Sequence, residues 1–458
     1  MSPSTLTIVT RVRAADGPGG AGRLRAALAV VKDSAAHPSS LVHALPFHRV
    51  RGLHFARFTI VEEGETKPTF GPKKYLPAEL VLSLVFDGTK VECVEQFIGA
   101  ARRELDIIYA SCEAYPGPKA ETAQVRDYLF AHDVLPFVFY QGIEGATVTA
   151  VESTAALRDR LRAQLDARLM HGTAETAASL SHDLRPRPPI IAARDLPPAL
   201  PVLSERALQL RVLAWILVVV SPFVVLALLT GMAAWKIGAS EGGSVAVGFA
   251  PVALLLALLL LHEAADARAL QREEPKSVAQ RDFSRVRIVE DVAVQNALSH
   301  CVVVKSGVRR IALRIVFWAI RQRVSIVDRY ARSLGGIASI HFARWVPLDG
   351  GNRLLFLSDY DGSYESYLAE FVDRASAGLS SIWSNTLGFP ETWLLVFKGA
   401  KDEARFKKWT RDKQLETPIW YSAYPARTVA NIHNDLRMSQ LLATDQATPD
   451  DSAWLGLL

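Results

Sequence analysis

Two uncharged apolar runs separated by only six residues restrict this chain more than any other feature. The first covers residues 212–235, "VLAWILVVVSPFVVLALLTGMAAW", and the second residues 242–261, "GGSVAVGFAPVALLLALLLL", with "KIGASE" between them. A hydrocarbon core of about 30 Å is crossed by roughly 20 apolar helical residues, so each run is long enough to span it. The short turn makes the pair a helical hairpin. Pro222 and Pro251 lie inside the runs, where membrane helices accept proline more readily than soluble ones do. The alternative is a hairpin buried in a large soluble core.

A hairpin returns the chain to the side it left. Arg206 and Arg211 precede it and Arg268, Arg272 and Lys276 follow it, against Lys236 alone in the turn. Positive-inside reasoning then places both flanking regions in the cytoplasm, on a bacterial inner membrane. The first thirty residues have no basic start followed by a continuous apolar stretch, so no signal peptide is expected. Cys93, Cys112 and Cys301 are the only cysteines, without metal-ligand spacing, which argues against a disulfide framework or a zinc centre and for a reducing compartment. Lys and Arg number 52 against 47 Asp and Glu, too near parity for a phosphate-tracking groove. No nucleic-acid partner is expected.

On either side of the hairpin the chain resembles itself. "GLHFARFTIV" holds His54 to Arg57, and "SIHFARWVPL" repeats the four residues at His341 to Arg344. Asp87-Gly88 and Asp361-Gly362, Phe97 and Phe371, Leu105 and Leu379, Tyr109 and Trp383, and Pro116 and Pro390 all stand 274 positions apart. "FVFYQGIEGATV" and "PIWYSAYPARTV" form a weaker later pair. Short Leu, Val, Phe and Ile runs read as strands, whereas Val94, Phe97, Ala101, Leu105 and Ile108 recur at helical spacing.

The fold class expected is α+β, with two duplicated ferredoxin-like units joined through the hairpin and helices on one face of each antiparallel sheet. The divisions are an N-terminal extension (1–40), a first unit (41–170), a Pro-rich linker (171–205), the hairpin (206–264), a basic amphipathic connecting segment (265–335), a second unit (336–445) and a C-terminal tail (446–458). The two sheets could pack on each other within the chain or pair between chains as a homodimer. In the connecting segment, Arg309, Arg310, Arg314, Arg321 and Arg323 alternate with apolar and aromatic residues, which suits a helix at an anionic membrane surface. If "VEDVAVQNALSH" is helical, Asn296 and His300 stand one turn apart, an arrangement suited either to a polar cavity entrance or to capping one domain against another.

Alternation along the first strand of each unit puts His54, Ala56 and Phe58 on one face and Phe55, Arg57 and Thr59 on the other; His341 and Ala343 likewise oppose Phe342 and Arg344. Asp359 stands where the first unit has Val85. A strand acid of this kind is exposed or held by a partner, and Arg344 on the adjoining strand is the partner expected. Arg344 and Asp359 are therefore the candidate catalytic pair, and the site belongs to the C-terminal unit. His341, His433, Trp420 and Tyr421 are candidates for holding a cofactor. No P-loop, G-x-S-x-G elbow or G-x-G-x-x-G fingerprint occurs, which removes the main support for ATPase, α/β-hydrolase and Rossmann dehydrogenase readings.

"SIHFARWVPL", "RLLFLSDYDGSYESYL", "IWSNTLGFP", "WYSAYP" and "NIHNDLR" resemble an uncharacterised family of bacterial membrane-associated proteins over residues 285–442. At the level of fold, paired ferredoxin-like units resemble the dimeric α/β-barrel superfamily, which includes dye-decolourising peroxidases and chlorite dismutases. That resemblance implies haem held by His433 or His341, with Arg344 and Asp359 on the distal side. The Gly-x-x-Asp-Gly signature of the peroxidases is not reproduced, because Ser358 stands where its first glycine belongs. Three functions are carried forward: binding of an apolar or lipid-like molecule between or within the units, a haem-dependent oxidoreductase acting on a lipid or lipid peroxide, and a ligand-free membrane scaffold.

Overall fold

The short apolar runs fold into strands: β1 (Ser4–Arg11), β2 (Leu53–Val61), β3 (Glu79–Phe86), β4 (Val138–Gln141), β5 (Gln295–Val303), β6 (Ile340–Leu348), β7 (Arg353–Asp361) and β8 (Ile419–Ser422). They form two antiparallel sheets, ordered β1-β3-β2-β8 and β4-β6-β7-β5. Each half of the chain thus lends its last strand to the other half's sheet. The computed structural model describes residues 3–13, 20–33, 45–66, 73–170, 176–186, 190–198, 201, 203–272, 290–443 and 453–458. The architecture is α+β.

The helices are α1 (Gly20–Asp33), α2 (Lys90–Tyr109), α3 (Thr122–Ala131), α4 (Val148–Met170), α5 (Ala177–Leu184), α6 (Glu205–Lys236), α7 (Glu241–Arg272), α8 (Val308–Arg323), α9 (Tyr364–Trp383), α10 (Glu403–Lys413) and α11 (Val429–Ala443). Gly88 and Gly362, at φ 86° and 78°, turn the chain after β3 and β7, a conformation that disfavours a side chain. Thr89 and Ser363 then cap α2 and α9.

Period-2 alternation divides the apolar residues between two faces of each sheet. Ala56, Phe58, Leu82 and Leu84 pack with Val94, Phe97, Leu105 and Ile108 of α2. Ala343, Trp345 and Phe356 pack with Leu368, Phe371 and Ile382 of α9. The remaining faces meet each other: Val61 and Val81 join Val346, Leu355 and Leu357, and Phe55 and Val85 join Phe342. The layers run helix, sheet, sheet, helix.

Strand exchange depends on a close approach at Gly142, just beyond β4. A Cβ there would lie 2.1 Å from the Ile340 carbonyl oxygen, closer than any side chain can come. Gly142→Ala should lower stability by about 1–3 kcal/mol, because overpacking forces the backbone apart. Gly99→Ala in α2, with nothing within 4 Å of the added carbon, should instead raise stability by about 0.5–1 kcal/mol. Urea unfolding of both variants checks the contrast, and equal shifts would contradict the close approach.

Several sequence divisions move. The extension assigned to 1–40 contains β1, an edge strand of the first sheet, and the connecting segment contains β5, which pairs with β7 over nine positions. Among the described residues of "VEDVAVQNALSH" only 290–292 are helical; from Gln295 the chain is a strand paired with β7. His300 therefore shares a strand face with Asn296 instead of a helical turn. The linker carries α5, and the end of the tail docks: Trp454 is 1% exposed and its Nε1 donates to Ser181 Oγ at 2.9 Å.

Helices α6 and α7 are long and apolar enough to cross a membrane, and only 6% and 17% of their most apolar windows is buried within the protein. They meet through small residues, as expected where close backbone approach drives association. A Cβ at Gly248 would stand 2.6 Å from the Ala227 carbonyl oxygen, and Thr230 Oγ1 donates to the Gly248 carbonyl at 3.1 Å. The basic helix α8 does not lie free on a surface. Leu313 and Phe317 enter the second core, while Trp215 Nε1 of α6 donates to the Ala319 carbonyl at 2.9 Å and Asp266 of α7 binds Lys305 at 2.8 Å and Arg309 at 3.1 Å. Arg309 thus belongs to a packed face, whereas Ile311, Arg314 and Arg321 stay exposed.

Candidate functional site

Both histidines of the repeated tetrapeptide sit at a β-bulge. The β2–β3 register slips between Leu53 and Phe55, and the β6–β7 register slips between Ile340 and Phe342. A bulge re-aims the side chain it carries, so simple alternation fails at His54 and His341. His54 Nε2 meets Asp87 Oδ1 at 3.0 Å, and Asp87 Oδ2 accepts from the Val148 amide at 2.8 Å. His341 Nε2 meets Asp361 Oδ1 at 2.7 Å, and Asp361 Oδ2 accepts from the Val429 amide at 2.7 Å. In each half the histidine clamps a strand to the Asp-Gly turn, and the same carboxylate caps the first residue of α4 or α11.

The arginines cross between the sheets. Arg57 Nη1 donates to the Leu298 carbonyl at 2.9 Å, and its Nη2 donates to the Ser358 carbonyl at 3.0 Å and to Asp359 Oδ1. Arg344 reaches the other way, donating to the Leu84 carbonyl at 3.2 Å and to Ser83 Oγ. Asp359 is therefore held by Arg57 of the opposite sheet and not by Arg344, which the ladder places beside Leu357. Burial, followed by the neighbouring Arg57 charge and opposed by Asp359, lowers the Arg344 pKa to about 9.

Trp420 Nε1 donates to the same Asp359 oxygen at 3.0 Å. Tyr421, next along β8, points to the opposite face and lies 5.4 Å from Phe47, ring to ring. Arg57, Arg344 and Asp359 are all buried, and protein groups occupy the space between the sheets that the sequence reading offered to a ligand.

His433 lies elsewhere, on α11, in a pocket of about 330 Å³. Gln141 to Glu144, Pro197, Pro198, Arg329, Arg332, Leu436, Arg437, Gln440 and Leu441 complete its lining. The His433 Nε2 is buried without a partner. Burial, followed by the Arg332 charge, lowers the His433 pKa to about 4, so the imidazole is neutral near pH 7. Arg329 Nε contacts Glu144 Oε2 at 2.7 Å. Tyr330, the next residue, lies under the Arg211 guanidinium at 3.6 Å, and Arg211 immediately precedes the apolar run of α6. Sequence reading chose His433 but missed the arginines around it, which come from two segments more than a hundred residues apart and share no motif.

The haem arrangement is not assembled. His433 lines this pocket, Arg344 and Asp359 do not, and His341 is engaged by Asp361. Among the described residues no group of three or more His, Cys, Asp or Glu side chains could hold a metal ion. Scans of protein-family models, curated proteins and solved structures return no match to the chain.

Proposed function

We propose that this is a membrane-anchored protein that binds an anionic, lipid-like molecule in the pocket beside its hairpin. In this reading α6 and α7 span a bacterial inner membrane, and the two sheets, derived from a duplicated ferredoxin-like unit, stand on its cytoplasmic face. The observation that carries the proposal is the lining of the His433 pocket. Arg329, Arg332 and Arg437 outnumber Glu144, while Leu436, Leu441, Pro197 and Pro198 offer apolar surface. Charge for a headgroup beside apolar walls for a chain is what an anionic amphiphile requires.

Its position supports the same reading. Arg211, packed on Tyr330, marks the start of the apolar run, so the pocket lies near headgroup height. Cationic side chains near an anionic leaflet contribute about 1 kcal/mol each. Native mass spectrometry of the protein from an uncharged detergent, with short-chain phosphatidic acid and short-chain phosphatidylcholine as probes, tests it. Phosphatidic acid is expected to be retained preferentially, and Arg332→Glu with Arg437→Glu should weaken its binding at least about tenfold, roughly 1.4 kcal/mol. Equal retention of the two lipids, or indifference to both charge reversals, would remove the proposal.

A further inference from the structure

The connection between α9 and α10 differs from its counterpart in the first half. There, five residues (117–121) join Pro116 to α3; here, twelve residues (391–402) join Pro390 to α10. The added length is a small β-ribbon, Thr392–Trp393 with Phe397–Lys398, turned by Leu394, Leu395 and Val396. Trp393 is 59% exposed, Leu394 41% and Phe397 50%. Leu394 and Leu395 adopt φ 53° and 63°, a region where a water-facing turn would ordinarily place Gly or Asn.

This ribbon is fastened to the hairpin. Glu263 of α7, itself buried, accepts from Thr392 Oγ1 at 2.5 Å and from the Leu395 amide at 2.9 Å through the same oxygen. Glu263 follows the last apolar residue of the second run, Leu261, by two positions, about 3 Å of helix rise. The ribbon is therefore held close to the edge of the apolar span, in the half of the chain that docks on α8 and α7.

We infer that the 392–398 ribbon is a second membrane contact, with Trp393, Leu394 and Phe397 inserted into the interfacial layer of the bilayer that α6 and α7 cross. The Trp393–Phe397 pair, rings 5.3 Å apart, supplies the amphipathic aromatic surface that favours this layer, and Leu394 adds apolar area at the tip. A ribbon so placed fixes the tilt of the α+β body on the membrane. The inference rests on the membrane reading of the hairpin but not on the pocket.

The test uses the full chain reconstituted in phosphatidylglycerol-containing vesicles, carrying an environment-sensitive fluorophore at Trp393→Cys or, separately, at Leu256→Cys within α7. The unlabelled-site parent serves as the labelling blank. Both probes are expected to emit to the blue and to lose intensity to a lipid-borne nitroxide, the Trp393 site most strongly to a nitroxide near the headgroup. Quenching at Leu256 with a water-quenched Trp393 site overturns the ribbon inference and leaves the hairpin intact. Absence of lipid quenching at both sites overturns the membrane reading itself. Shielding of the Trp393 site from both lipid and water quenchers assigns the surface to a protein partner and also overturns the inference.

Discussion

Asp359→Val is expected to be the most damaging single substitution between the sheets, costing about 3–5 kcal/mol, because removal of one member of a buried charge cluster leaves the others uncompensated. Asp359 is the carboxylate that Arg57 contacts, and Trp420 also donates to it. Without it, Arg57 and Arg344 remain as like charges in a dry interior. The near-symmetry of the crossing arginines offers a repair. Arg57 binds the Ser358 carbonyl beside Asp359, and Arg344 binds the Leu84 carbonyl beside Val85. Val85→Asp added to Asp359→Val should place the acid next to Arg344 and recover more than half of the loss. Urea unfolding of both single variants and the double variant gives the coupling directly; additive losses would show that Val85 does not face Arg344 as its counterpart faces Arg57.

Acidification should destabilise the protein through His300, which the sequence pairs with Asn296 and whose aromatic surroundings are wholly tertiary. Its ring lies 5.1 Å from Trp383 and 4.8 Å from Trp409, and neither nitrogen has a partner. Burial, with a smaller contribution from Lys413, lowers its pKa to about 3, against about 6.5 in an unfolded chain. Between those values the unfolded state carries the extra proton. The stabilisation is complete above about pH 6.5 and is lost as pH falls, at up to about 1.4 kcal/mol per pH unit and of order 3–5 kcal/mol in all. His433 acts in the same direction, whereas Asp435, raised by burial to about 6, acts in the opposite one. Comparison with His300→Leu isolates the first contribution: the variant should equal or exceed the parent at pH 7 and lose much less stability by pH 4. Parallel pH profiles would mean that His300 is hydrated or partnered in solution.

His-Phe-Ala-Arg illustrates what was legible in the chain and what was not. The recurrence of the motif, its place on a strand and the Asp-Gly turns downstream follow from residue order and period-2 patterning. The bulges at His54 and His341 do not, because a register slip is decided jointly by two strands. Pairing of Asp359 with Arg57 was hidden for a related reason. Adjacent strands suggested Arg344, but the partner arrives from a second sheet whose orientation no local pattern encodes.

The apolar hairpin, the α+β class, the helix stripes and the capped turns were set by the sequence alone, since each depends on side chains within a few residues of one another. The exchange of β4 and β8, the inclusion of β1 and β5 in the sheets, the docking of α8 on the hairpin and the assembly of the His433 pocket were decided by tertiary structure. Each joins segments far apart in the chain, and the burial and backbone pairing that select it exist only once both sheets have closed on each other.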